Sequence, residues 1–193
     1  SLNIKAWKNQ NEIKISLDTR NHKTFEKALK YGCIDILNDV SGLQNANMQN
    51  LVKESNCRVV YMHSLSVPAD KKLILPLDQN ATELVLLWAQ KHLENLTNLG
   101  IKPENLIFDP GIGFGKNSLQ SLQLIQNFSK FKKLGIDLLL GHSRKSWLNQ
   151  FVKSNLDLRL DLKLDQKLDS KSVLNPNLET DLRLDPSSEL ELD

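Results

Sequence analysis

The run Asp109-Pro110-Gly111-Ile112-Gly113-Phe114-Gly115-Lys116-Asn117 carries the strongest chemical signal in this chain. Alternating glycines let a backbone turn tightly and approach a ligand closely. Asp109 ahead of them offers a carboxylate that can accept hydrogen bonds from N–H groups. The run is not a nucleotide loop. A Walker loop needs Gly where Pro110 stands and Ser or Thr where Asn117 stands, and a dinucleotide fingerprint needs Gly where Lys116 stands. A second cluster is Gly141-His142-Ser143-Arg144-Lys145-Ser146. At a helix start its free backbone N–H groups, the Ser143 hydroxyl and two cations would receive a carboxylate or a phosphate. Arg144 and Lys145 alone would read as a solvated basic turn. Asp18-Thr19, Asn38-Asp39-Val40-Ser41-Gly42 and His63 are weaker signals, since Asp and Asn also cap helices.

Each cluster directly follows an apolar run: 13–17, 34–37, 59–62, 106–108 and 138–140. Such runs read as strands buried on both faces. Helical patterns lie between them. One follows Thr19, with Phe25, Ala28 and Leu29 inward and Gly32 as the stop. Another spans about 45–55, with Met48, Leu51 and Val52 on one face. A third starts near Asp78 or Asn80, carries Leu84, Leu87 and Trp88, and stops at Leu99-Gly100 with Pro103 beyond. The fourth spans 118–134, with Leu122, Ile125 and Phe128 or Phe131 inward, and closes at Gly135. Strand and helix in alternation predict right-handed crossovers and a parallel sheet. In a parallel α/β barrel the strands' carboxyl ends open onto one face, where chemistry gathers. The segment 64–77 reads as a connector rather than an excursion near the site.

At 193 residues, 40% hydrophobic and 25% charged, the chain can form one domain with a real core. A net charge of +2 argues for neither nucleic acid nor an anionic membrane as the main partner. No run approaches membrane-span length, and no signal-peptide core opens the chain, so the expected location is cytoplasmic. Cys33 and Cys57 form no CxxC pair and read as small buried hydrophobes. Beyond Lys153 the chain alternates Leu with charge at 156–165 and again at 182–185. The expected division is 1–153 as an α/β unit, opening its last part with a short helix at 146–152, and 154–193 as a low-complexity insertion or tail.

Taken together the motifs resemble dihydropteroate synthase, a pterin-binding enzyme of folate biosynthesis. The family's strand tips read like "DT", "NDVSG", "MH", "DPGxGFGK" and "GxSRK", and all occur here in order between Ile13 and Trp147. The resemblance implies a TIM (β/α)8 barrel, incomplete here, with about five βα units. It implies a transferase that condenses 6-hydroxymethyl-7,8-dihydropterin diphosphate with p-aminobenzoate, releases pyrophosphate, usually employs Mg²⁺ and is a sulfonamide target. A homodimer of the full-length enzyme is also within what it implies. Carried over residue by residue, it places Asp18, Asn38, Asp109 and Lys145 around the pterin. Met62, Val40, Ile112, Phe114 and Leu139 would wall the pocket, and Gly113 and Gly141 would leave room for the ring. Ser143 would seat the aminobenzoate carboxylate, with Arg144 lining that side. Asp109, Lys145 and Asp18 are the expected catalytic residues. For His63 a histidine satisfied by local hydrogen bonds is the expected role, and His22, His92 and His142 read as surface or supporting residues.

The family's first two strands, with their "NxTPDSFSDGG"-like segment, and its last, with an "RxHD"-like end, have no counterpart here. The expectation is a partial sequence or a remnant, inactive by itself. A pterin-binding methyltransferase domain and a non-catalytic remnant are the rival readings; the Ser143-Arg144-Lys145 set favours the synthase.

Overall fold

The computed structural model describes residues 8, 13–70 and 72–141. Ser143, Arg144, Lys145, the helix expected at 146–152 and the Leu/Asp-rich segment lie outside the described residues. Strands β1 (Ser16–Asp18), β2 (Ile36–Asp39), β3 (Arg58–Met62), β4 (Leu106–Asp109) and β5 (Asp137–Leu138) alternate with helices α1 (His22–Leu29), α2 (Ala46–Glu54), α3 (Ala81–Asn98) and α4 (Ser118–Gln126). All five strands form one parallel sheet in the order β1-β2-β3-β4-β5. Each new strand is thus added to the same edge. With right-handed crossovers this puts every helix on the same face, and a sheet so wound curls toward a barrel. A doubly wound fold would instead reverse its strand order midway.

The helices start where asparagine side chains accept hydrogen bonds from otherwise orphaned backbone N–H groups. Asn21, Asn45, Asn80 and Asn117 cap α1 to α4 in turn. Asn117 and Gln120 form a reciprocal capping box at the start of α4. Helix α3 ends as its sequence predicts: Gly100, at φ 88°, donates its N–H to the Thr97 carbonyl.

Leu37, Val59, Tyr61, Leu106 and Phe108 point from the sheet into a core shared with Phe25, Met48, Val52, Val85, Ala89, Leu96, Leu124 and Phe131. Strand alternation puts Asn38, Val60, Met62, Ile107 and Asp109 on the opposite face. At β3 and β4 both faces are buried, which is why those strands read as unbroken apolar runs.

The structure corrects several boundaries. Leu87 is 65% exposed; the buried stripe of α3 runs through Val85, Ala89 and Leu96. The fourth helix does not continue to Leu134. It stops at Gln126, where the Asn127 amide donates to the Gln123 carbonyl, a local bond that competes with helix continuation. A 3₁₀ segment, Phe128–Leu134, follows and brings Phe131 into the core. Leu124, rather than Leu122, is the fully buried leucine of α4. The last strand is Asp137–Leu138, extended by one hydrogen bond from Leu139 N–H to the Phe108 carbonyl. Among the described residues no helix is long and apolar enough to cross a membrane.

Candidate functional site

The sheet register aligns the residues that the sequence singles out. Asp18 pairs with Asn38, Asn38 with Val60, and Val60 with Ile107; one step up, Met62 pairs with Asp109. Residues paired across a parallel ladder share a face, as do residues two apart. Asp18, Asn38, Met62 and Asp109 therefore lie at the carboxyl ends of four adjacent strands, on the face away from the helices. Asp18 is exposed, Asn38 half-buried, and Met62 and Asp109 buried.

Asp109 is fixed from below and beside. Its Oδ1 accepts the Gly111 N–H at 2.8 Å, and its backbone carbonyl accepts the His63 N–H at 3.0 Å. The fifth strand's exit comes close as well. A Cβ placed on Gly141 would sit 3.3 Å from Asp109 Oδ2 and 3.9 Å from Leu139. This glycine is what lets the backbone pass the carboxylate so closely. Gly111 is more constrained. It adopts φ 68°, and an added Cβ would fall 1.9 Å from the His63 carbonyl oxygen. The turn after β4 thus folds down onto the end of β3.

Lys116 makes that junction. Its ammonium reaches His63 Nδ1 at 2.8 Å, the Phe114 carbonyl at 2.8 Å and the His63 carbonyl at 3.3 Å. Both residues are buried, Lys116 being 5% and His63 3% exposed. Burial, and then the neighbouring Lys116 charge, push the His63 pKa down to about 3. His63 is accordingly neutral at physiological pH. Its ring meets Trp88 of α3 edge-on at 4.8 Å, and Trp88 stacks on His92 at 4.9 Å. His92 Nε2 lies 2.5 Å from the Gly42 carbonyl in the turn after β2. Burial holds His92 below its ordinary range, and the Gly42 contact opposes this.

Asp39 follows Asn38 in sequence but faces the helices, fully buried. Its Oδ1 accepts from the Ser41 hydroxyl and N–H at 2.6 and 2.9 Å. Gly42, at φ 75°, lies against the Met62 carbonyl and Trp88. Asp39 thus shapes the turn beside Asn38 rather than opening onto the face that carries it.

The expected wall residues Ile112 and Phe114 both lie in the turn after β4. Ile112 is fully buried in the helix–sheet core and does not line the strand-tip face. Phe114 contributes its carbonyl to Lys116. Gly113 is exposed at φ 79°, Val40 is half-buried and Leu139 borders Gly141. The segment 64–77 proves to be more than a connector. Leu65 packs against Gly115, the Leu75 N–H binds the Gly115 carbonyl at 3.0 Å, and Gln120 Nε2 binds the Leu75 carbonyl at 2.9 Å. On the other side Arg20, just past β1, donates to the Val67 carbonyl at 3.2 Å. The segment is tied to Arg20, just past β1, on one side and to the turn after β4 and the first turn of α4 on the other.

Sequence reasoning missed Lys116 and Trp88. A lysine closing a glycine run and a histidine directly after a buried strand were the available signals, but their pairing depends on how two turns fold against each other. Among the described residues no group of three or more His, Cys, Asp or Glu side chains could hold a metal ion.

Comparisons with known proteins agree with this geometry. The folate synthesis bifunctional protein of Chlamydia caviae is 39% identical over 132 residues, 68% of this chain and 29% of that protein. The dihydropteroate synthase of Haemophilus influenzae is 32% identical over 156 residues, 81% of this chain and 56% of that enzyme. The chain therefore spans about half the length of that synthase. Among solved structures, dihydropteroate synthase from Anaplasma phagocytophilum with bound 6-hydroxymethylpterin-monophosphate superposes with a TM-score of 0.70 at 32% identity, covering 76% of this chain and 57% of that one. Dihydropteroate synthase from Thermus thermophilus in complex with 4-aminobenzoate superposes with a TM-score of 0.67 at 28% identity, covering 75% and 55%. The pterin binding enzyme family matches residues 3–167. With most of the chain inside that match, and its barrel-type strands and tip residues in register, the chain belongs to the pterin-binding enzyme family.

Proposed function

We propose that the protein acts as a dihydropteroate synthase, joining a dihydropterin methyl diphosphate to p-aminobenzoate with release of pyrophosphate. The observation that carries this reading is the row of Asp18, Asn38, Met62 and Asp109 on one face at adjacent strand ends. A flat heterocycle with alternating donors and acceptors needs fixed carboxylate and amide partners in a largely apolar slot. Asp109, held by Gly111, accepts from the ring's amino and N–H groups, and Asn38 reads another edge. Met62 forms the slot floor, and Gly141 leaves room beside Asp109. Lys145 donates to ring acceptors, Ser143 seats the aminobenzoate carboxylate and Arg144 lines that side. Residues 1–153 make up the pterin-binding unit and 154–193 an insertion or tail. The protein is cytoplasmic, and the full-length enzyme is a homodimer.

In the reaction the bond between the pterin methylene and the diphosphate oxygen breaks, and its electron pair leaves with diphosphate. The methylene turns cationic. Asp18 and Asp109 stabilise that charge, each oriented group being worth about 3–4 kcal/mol. The aminobenzoate nitrogen then attacks the methylene, forms the C–N bond and gives up a proton. Mg²⁺ is what the family resemblance implies for the leaving group, where it would offset the charge of the departing diphosphate, held mainly by phosphate oxygens and water.

The test is product formation. The full-length enzyme carrying this chain, given the dihydropterin diphosphate and labelled p-aminobenzoate, should yield labelled dihydropteroate and one pyrophosphate per turnover, and the 193-residue chain alone none. Pterin binding with no incorporation of aminobenzoate in the presence of Mg²⁺ would contradict the synthase reading and favour a methyltransferase-type pterin domain.

A further inference from the structure

We propose that Lys116 is a positioning residue of the pterin site: its ammonium holds His63 in the Nε2–H tautomer and clamps the end of β3 to the turn that presents Asp109. This rests on the synthase reading for its ligand, though not for its geometry.

An ammonium can only donate. At 2.8 Å from His63 Nδ1, Lys116 makes that nitrogen an acceptor, so the ring proton resides on Nε2. The other two donations, to the His63 and Phe114 carbonyls, bridge the residue after β3 to the glycine turn after β4. Around the bridge, Asp109 receives the His63 N–H on its carbonyl and the Gly111 N–H on its carboxylate, while Gly111 rests on the His63 carbonyl. Four groups are therefore fixed by one buried cation: the His63 ring, the His63 carbonyl, the glycine turn and, through them, the direction of the Asp109 carboxylate. Trp88 abuts the same ring and leaves it little freedom to flip. A buried lysine whose bonds all ended on its own turn would have no such reach.

The experiment is nitrogen NMR of the histidine rings in the intact protein, followed by pterin titration of variants. His63 is assigned by the ring signals that disappear in His63→Gln. In the unmodified protein His63 should be neutral with its proton on Nε2; a proton on Nδ1 overturns the proposal. In Lys116→Met the fixed tautomer should give way to a mixture, and 6-hydroxymethyl-7,8-dihydropterin should bind about tenfold more weakly. Lys116→Arg, which keeps the charge, should recover most of the tautomer preference. A Lys116→Met protein with unchanged tautomer or unchanged pterin affinity overturns the proposal. If Lys116→Met does not fold, the unmodified protein and Lys116→Arg still decide it. Absence of pterin binding in the unmodified protein would strike the synthase reading and the positioning role together, whereas the tautomer readout judges the Lys116–His63 lock alone.

Discussion

At the scale of single residues the site depends on what its glycines omit and what its histidine refuses. Gly111 and Gly135 have nearly the same backbone, φ 68° and 70°, but only Gly111 has a neighbour where a Cβ would go; at Gly135 nothing lies within 4 Å. Gly135→Ala should therefore cost only the left-handed backbone penalty, about 1–2 kcal/mol. Gly111→Ala adds a collision with the His63 carbonyl, for which overpacking of about 1–3 kcal/mol is the usual scale. Urea unfolding of the two variants measures the difference directly, and equal destabilisation would mean that Gly111 does not rest on His63. The depressed pKa of His63, about 3, makes a second prediction. The unfolded chain takes up a proton near the ordinary histidine pKa of about 6.5, and the folded chain does not. More protons are bound in the unfolded state between those values, so the stability due to neutral His63 is whole above pH 6.5 and is lost as pH falls toward 3. Replacing His63 by Gln should flatten the acid limb of a stability–pH curve by a few kcal/mol. An unchanged acid limb would show that His63 titrates alike in both states.

At the scale of elements, the local signals and the tertiary ones divide cleanly. Helix starts at Asn45, Asn80 and Asn117 and the stop at Gly100 were legible because capping is local chemistry. Asn117→Ala, which breaks the capping box that opens α4, should cost about 1 kcal/mol in chemical denaturation, and a loss under a few tenths would argue against the box. The break at Asn127 was not legible, because Phe128 and Phe131 fit helical spacing; the Asn127 amide on the Gln123 carbonyl marks where the helix gives way. The same holds for Leu87, which repeats with Leu84 and Trp88 yet lies on the solvent side, since α3 presents Val85 and Ala89 to the sheet. The segment 64–77 looked like a connector because Pro68, Pro76 and the charged run 70–72 interrupt it. Its role beside the strand ends comes from bonds to Gly115, Gln120 and Arg20, partners distant in sequence.

At the scale of the whole molecule, the sequential strand order sets four strand tips, Asp18, Asn38, Met62 and Asp109, side by side on one face. The tips of the first two strands alone were weak signals; Asp18 or Asn38 by itself would pass for a helix cap. Their order along the chain made the parallel sheet legible, and the register then aligned them. Which face each side chain occupies was only half legible. Asn38 and Asp39 are neighbours in sequence, and the pleat sends one toward the ligand face and the other into the helix layer. On the proposed function, Asp109 anchors the pterin. Calorimetric titration of 6-hydroxymethyl-7,8-dihydropterin into the intact protein and its Asp109→Asn variant tests this most directly. The variant keeps the side chain's shape but halves its acceptors, so affinity should fall at least tenfold, about 1.4 kcal/mol, with the fold unchanged by circular dichroism. Equal affinity in the two proteins would show that Asp109 does not anchor the pterin.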